Sequence, residues 1–123
     1  MKTFYIETYG CQMNVADSEV VGSILKMDGF ELSSDATNSD LILINTCSIR
    51  DNAEQKVLSR LQYFNSLRKK RPNLIIGVIG CMAERVQTEM IKKHGVDIVV
   101  GPDAYLDIPM LISDKQALSL IIN

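Results

Sequence analysis

Hydrophobic and polar positions change period repeatedly along this chain. Phe4-Tyr5-Ile6 predicts a first strand near residues 3–8. From Asn14 to Met27 the apolar positions Val20, Val21, Ile24 and Leu25 recur at helical spacing. Asn14 and Asp17 stand where an N-cap and its third-position acid would, and Asp28-Gly29 stops the helix. Phe30-Glu31-Leu32 predicts a weak second strand, and Ser33 to Asp40 a polar loop. Leu41-Ile42-Leu43-Ile44 is an unbroken apolar run, the mark of a strand buried on both faces. A capping box at Ser48 and Asp51 then starts a long helix to about Arg71. Its inward positions are Ala53, Val57, Leu58, Leu61, Phe64 and Leu67, and Pro72 ends it.

Leu74 to Ile79 predicts a fourth strand, interrupted by Gly77. A helix over Ala83–His94 is stopped by Gly95, and Asp97 to Val100 predicts a fifth strand. Gly101-Pro102-Asp103 turns into a short helix with Tyr105, Leu106 and Leu111. The apolar tail from Ala117 is expected to pack back or to pair as an edge strand. Gly22, inside a helix, is read as allowing close packing, and the methionines as mostly core, apart from Met13 and Met82. Strands alternating with helices predict a three-layer α/β domain, with a mostly parallel five-stranded sheet and helices on both faces.

Composition adds limits. The 123 residues suit one domain, 46% are apolar, and 13 basic against 15 acidic residues leave a net charge of −2. That balance gives no support for nucleic-acid binding by the whole surface. No run approaches the roughly 18 apolar residues of a membrane span, and the first residues lack a signal peptide's apolar core. A cytoplasmic, reducing setting and no membrane partner are therefore expected.

Three cysteines change the picture. Cys11, Cys47 and Cys81 each follow an apolar strand and precede a helix, in the contexts Tyr9-Gly10-Cys11, Asn45-Thr46-Cys47 and Ile79-Gly80-Cys81. In a parallel sheet all three stand at the edge where α/β proteins bind ligands. Neighbouring strands are about 4.8 Å apart, so the flavodoxin-like order 2-1-3-4-5 makes the three cysteine strands adjacent, spanning about 10 Å. A shared site therefore favours that order. Three thiolates without a fourth suit an iron–sulfur cluster with one open iron. Zinc would add a histidine or water, and the one histidine, His94, ends a helix away from this edge. A phosphate- or nucleotide-binding module would use the same edge, although no Gly-rich phosphate loop follows any strand. The remaining reading is three small buried residues.

Gln12, Asn14, Asn45, Ser48 and Arg50 crowd that edge as candidate ligand or partner contacts. Loop and cap hydrogen bonding is the favoured reading for Asn14 and Ser48, while Arg50 adds positive charge beside the thiols. Arg68-Lys69-Lys70-Arg71 is read as a cationic helix C-terminus before an RNA contact.

At the cysteines the sequence resembles the N-terminal domain of the radical-SAM methylthiotransferases. The resemblance is carried by Tyr9-Gly10-Cys11-Gln12-Met13-Asn14 with Asp17-Ser18-Glu19, by Asn45-Thr46-Cys47-Ser48-Ile49-Arg50, and by Gly80-Cys81-Met82-Ala83-Glu84-Arg85. Val100-Gly101-Pro102-Asp103 is similar to a fourth stretch. The Gln-Met-Asn and Ser-Ile-Arg variants look like the branch that methylthiolates C2 of isopentenyladenosine beside the tRNA anticodon. Siblings act on threonylcarbamoyl-adenosine or on a ribosomal-protein aspartate. The resemblance implies that Cys11, Cys47 and Cys81 hold an auxiliary [4Fe–4S] cluster whose open iron carries the transferred sulfur. It further implies a tRNA substrate, a sulfur donor, and a radical-SAM barrel in the same polypeptide that binds S-adenosylmethionine and a second [4Fe–4S] cluster. The C-x-x-x-C-x-x-C of that barrel is not in these 123 residues. The chain is accordingly expected to be residues 1–123 of an excised N-terminal domain, inactive alone, without the barrel or the C-terminal RNA-binding domain.

Overall fold

A computed structural model describes residues 2–10, 12–46, 51–80, 91 and 93–122, with backbone alone for 51–54 and 116–122. Five strands form one sheet: β1 (Thr3–Tyr9), β2 (Glu31–Leu32), β3 (Leu41–Thr46), β4 (Ile75–Ile79) and β5 (Ile98–Val100). Their order is β2-β1-β3-β4-β5 and every pairing is parallel. All six residues of β3 are buried, as its uninterrupted apolar run requires of the central strand.

Three helices are described: α1 (Gln12–Met27), α2 (Asp51–Ser66) and α3 (Ile108–Ile122). The helix expected over Ala83–His94 falls for the most part outside the described residues. One face of the sheet carries Phe4, Leu41, Leu43, Ile79 and Val100, covered by Val21 and Leu25 of α1 and Ile108 and Ile112 of α3. The other face carries Ile42, Ile44, Ile76 and Val78 against Val57, Leu61 and Phe64 of α2. Strand alternation thus splits the core into two layers on either side of the sheet. Among the described residues no helix is long and apolar enough to cross a membrane.

Several boundaries differ from expectation. α1 begins at Gln12, so Asn14 lies inside its first turn and is no N-cap. Its side chain is buried and bonded to β3, and this anchor sets the rotation of the helix. The buried stripe consequently runs through Asn14, Val21, Gly22 and Leu25, leaving Val20 half exposed. Gly29 ends α1 at φ +94°, with its N–H donating to the Lys26 carbonyl and that of Phe30 to Leu25. α2 stops at Ser66, earlier than Arg71, and tightens into a 3-10 turn over Leu67–Lys69. The apolar tail is helical to Ile122, so it forms no edge strand. Met27 and Met110 are exposed, against the reading of the methionines as mostly core.

Gly22 also differs from its expected role. A Cβ built there would meet the Phe4 ring at 3.9 Å, an ordinary contact, so close packing does not demand glycine. Gly22→Ala is therefore expected to stabilise the fold by about 0.5–1 kcal/mol, the usual gain in a helix interior. Urea denaturation reads this directly, and a lower midpoint would mean that α1 sits closer to the sheet than its geometry implies.

Candidate functional site

The C-terminal ends of β1, β3 and β4 stand side by side. Tyr9 is in register with Thr46, and Asn45 with Ile79. Gly10, Thr46 and Gly80 therefore share one edge of the sheet, and each is the sequence neighbour of a cysteine. Cys11, Cys47 and Cys81 lie outside the described residues, as do Ser48 and Arg50. Among the described residues no group of three His, Cys, Asp or Glu side chains converges as a metal site. Gln12 is exposed at the start of α1.

Gly10 and Gly80 have the same backbone dihedral, φ +125°, which side chains rarely adopt. At Gly80 a Cβ would come within 2.1 Å of the Thr46 carbonyl oxygen and 3.1 Å of Asn45 Oδ1. The chain leaving β4 is thus pressed against the end of β3, and the Gly80 N–H donates to the Val100 carbonyl at 3.2 Å.

Beneath this edge lies a buried amide pair. Asn14 Nδ2 donates to Asn45 Oδ1 at 3.0 Å, and Asn45 Nδ2 donates to the Asn14 carbonyl at 2.8 Å and to Ser18 Oγ at 2.9 Å. Ser18 Oγ and Thr8 Oγ1 share a further bond at 2.8 Å. Asn45 is completely buried and Asn14 nearly so. Burying two amides is tolerable because their bonds are made internally. Two of the candidate residues thus meet each other, joining α1 to β3. Tyr105 adds a bond from its hydroxyl to Asp17 Oδ2 at 3.1 Å.

The other face of β1 carries a polar cluster that the sequence reading missed. Arg60 of α2 donates from Nε to Glu7 Oε2 at 2.7 Å and from Nη2 to Oε1 at 2.8 Å. Tyr5 and Tyr9 donate their hydroxyls to the same carboxylate at 2.9 and 2.6 Å. The guanidinium also lies over the Tyr63 and Phe64 rings, 5.1 and 4.8 Å from their centroids. Burial by itself would raise the Glu7 carboxyl, but the bonds from Arg60, Tyr9 and Tyr5 outweigh it and hold the group below its usual range. Burial, then the bond to Glu7, pushes the Tyr9 hydroxyl up to about 12. Tyr5 is raised for the same reasons, and Arg60 is raised by its bond to Glu7. The available signal was the alternation Tyr5-Glu7-Tyr9, a lone charge between aromatic positions on a half-buried strand. The cluster braces the strand that leads into Gly10.

The basic run is structural in part. Arg68 pairs with Asp97 and Arg71 with Asp40, each across the end of a strand. An open apolar groove of about 240 Å³ follows the outer edge of β5, between Ile91, Ile98 and Leu111, and touches none of the residues that flank the cysteines.

Comparison with known proteins agrees with this architecture. Over 96% of this chain and 98% of the other, the fold matches a solved CheY-like response regulator receiver domain protein from Methanospirillum hungatei JF-1, with a TM-score of 0.59 and 15% identity. That likeness concerns the fold alone. A tRNA-2-methylthio-N(6)-dimethylallyladenosine synthase of Porphyromonas gingivalis strain W83 is 59% identical over 99% of this chain and 27% of its own length. Proteins of the same name from Parabacteroides distasonis and Bacteroides fragilis are 60% and 57% identical, over 90% and 94% of this chain and 24% and 25% of their own lengths. The chain thus spans about a quarter of the relatives it matches. The model of the family described as "Uncharacterized protein family UPF0004" matches residues 3–101, and the chain belongs to that family.

Proposed function

We propose that this chain is the cluster-holding domain of a tRNA methylthiotransferase, one that places a methylthio group on C2 of isopentenyladenosine beside the anticodon. In this reading Cys11, Cys47 and Cys81 bind an auxiliary [4Fe–4S] cluster. The observation that carries it is the register of Tyr9 with Thr46 and of Asn45 with Ile79, at the ends of three adjacent strands that each lead into a cysteine. Adjacent strands are about 4.8 Å apart, a separation that short loops bridge. The donor set also fits: three thiolates, no fourth cysteine and no nearby histidine suit a cluster with one iron free of protein ligands. When bound, the cluster supplies an iron at which sulfur is held for transfer.

The chain's own residues perform binding and orientation. α1 starts at Gln12, directly after Cys11, so the positive end of its helix dipole favours a thiolate there. Gly10 and Gly80 keep side chains out of the approach. Arg50 adds positive charge that would offset the thiolates, and Gln12, exposed at the start of α1, is available to the ligand or to the rest of the enzyme. Radical generation from S-adenosylmethionine, the second [4Fe–4S] cluster and the main tRNA contacts belong to the other three-quarters of the enzyme, and a separate donor supplies the sulfur. The 123 residues alone bind the cluster without modifying tRNA. The setting is the cytoplasm.

Anaerobic reconstitution with iron and sulfide tests this reading. The wild-type chain is expected to take up about four irons, with loss of the visible absorbance in each of Cys11→Ala, Cys47→Ala and Cys81→Ala. Stoichiometric zinc with no iron, or an iron content indifferent to all three substitutions, would refute it.

A further inference from the structure

The candidate residue Asn45 touches or adjoins every chain segment that carries a cysteine. It stands two residues before Cys47. Its side chain exchanges hydrogen bonds with Asn14, three residues after Cys11, at 3.0 and 2.8 Å. Its second Nδ2 hydrogen reaches Ser18, which is bonded to Thr8, two residues before Gly10. Its Oδ1 lies beside Gly80, immediately before Cys81, where it would stand 3.1 Å from a Cβ, a tight contact. The side chain is completely buried, so water does not compete for these bonds. We infer that Asn45 is a positioning residue which fixes the three cysteine-bearing segments relative to one another, with Asn14 as its partner from the helix side.

The chemistry favours an amide at this position. A carboxylate would lose both donors and place a charge in a closed site. A leucine would remove one hydrogen-bond partner from the buried Asn14 amide and another from the Ser18 hydroxyl. Only a side chain with one acceptor and two donors serves both α1 contacts at once.

What the cysteines hold rests on the function proposed above, but their arrangement is testable without any cluster. Dibromobimane fluoresces once both of its arms have alkylated thiols, so its rate relative to monobromobimane reports how close two thiols stand. In the metal-free chain, Asn45→Ala and Asn14→Ala are expected to lower that ratio about tenfold while thiol reactivity to the single-armed reagent stays the same. A role confined to stability would leave the ratio unchanged in the folded population, as judged by circular dichroism. If Asn45→Ala fails to fold, Asn14→Ala decides alone, since alanine suits a helix interior. A wild-type ratio matched by the folded variants overturns the inference, as does a wild type whose thiols do not crosslink. A wild-type chain that crosslinks rapidly, with the ratio falling in the variants, yet takes up no iron would keep the inference and remove the cluster. Variants that load iron fully and crosslink like wild type would do the reverse.

Discussion

Gly80→Ala is expected to destabilise the chain by about 2–6 kcal/mol, a large part of the 5–15 kcal/mol that holds a typical domain together. Two costs combine. At φ +125° any Cβ strains the backbone by about 1–3 kcal/mol. In addition, the new atom would lie 2.1 Å from the Thr46 carbonyl oxygen. The obstacle is backbone in the central strand, so it cannot rotate away as a flexible side chain would. β4 must then shift from β3, at an overpacking cost of about 1–3 kcal/mol. Chemical denaturation of wild type and variant gives the difference directly. A midpoint equal to wild type would mean that the segment after β4 moves freely from β3. Gly77→Ala offers a contrast. Its Cβ would press on the Ile98 and Leu43 side chains at 2.7 and 2.8 Å, and side chains can repack.

The second large effect is expected at Glu7. Glu7→Gln keeps the size but removes the charge that Arg60, Tyr5 and Tyr9 share. Arg60 keeps 37% of its side chain exposed, so water recovers part of the loss, and the expected cost is about 1–2 kcal/mol. The pH dependence is more specific. The folded Glu7 carboxyl titrates below its usual range, so its contribution is present above the unfolded carboxylate value near 4.3 and fades as pH falls through the folded one. Tyr9 titrates at about 12, and its contribution holds below the unfolded value near 10 and is lost as pH rises toward 12. Wild-type stability should accordingly fall at both ends, and Glu7→Gln should flatten both limbs. Tyrosinate absorbance in the native state provides an independent check, since Tyr9 should ionise nearer 10 once the carboxylate is gone. An unaltered tyrosine titration in Glu7→Gln would show that the hydroxyl does not depend on that bond.

Elements whose cause is local were legible in the sequence. The run Leu41 to Ile44 announced a central strand because burial on both faces leaves no polar alternation. The order β2-β1-β3-β4-β5 followed from requiring three strand-end cysteines to share an edge. Features caused by distant partners were not legible. Asn14 looks like an N-cap by spacing, yet its side chain belongs to Asn45, 31 residues away, and that bond turns Val20 outward. Glu7 and Arg60 stand 53 residues apart, so nothing near either one announces the pair. The tail misled because Leu118-Ser119-Leu120-Ile121-Ile122 is apolar without a decisive period, and such a run reads equally as strand or helix.

The all-parallel pairing also has a consequence for how the chain reaches its structure. Among the described residues no two strands form a hairpin, so no described piece of the sheet is made from neighbouring sequence. The shortest pairing closes the chain from Gly77 to Ile98, and the most extensive closes it from Phe4 to Leu41. Loop-closure entropy is spent before either pairing returns any contact, which makes such topologies slow to fold. During synthesis β1 emerges first and must wait for β3, its principal partner. Its apolar residues are therefore open to wrong pairings until the ribosome has released residues past Thr46.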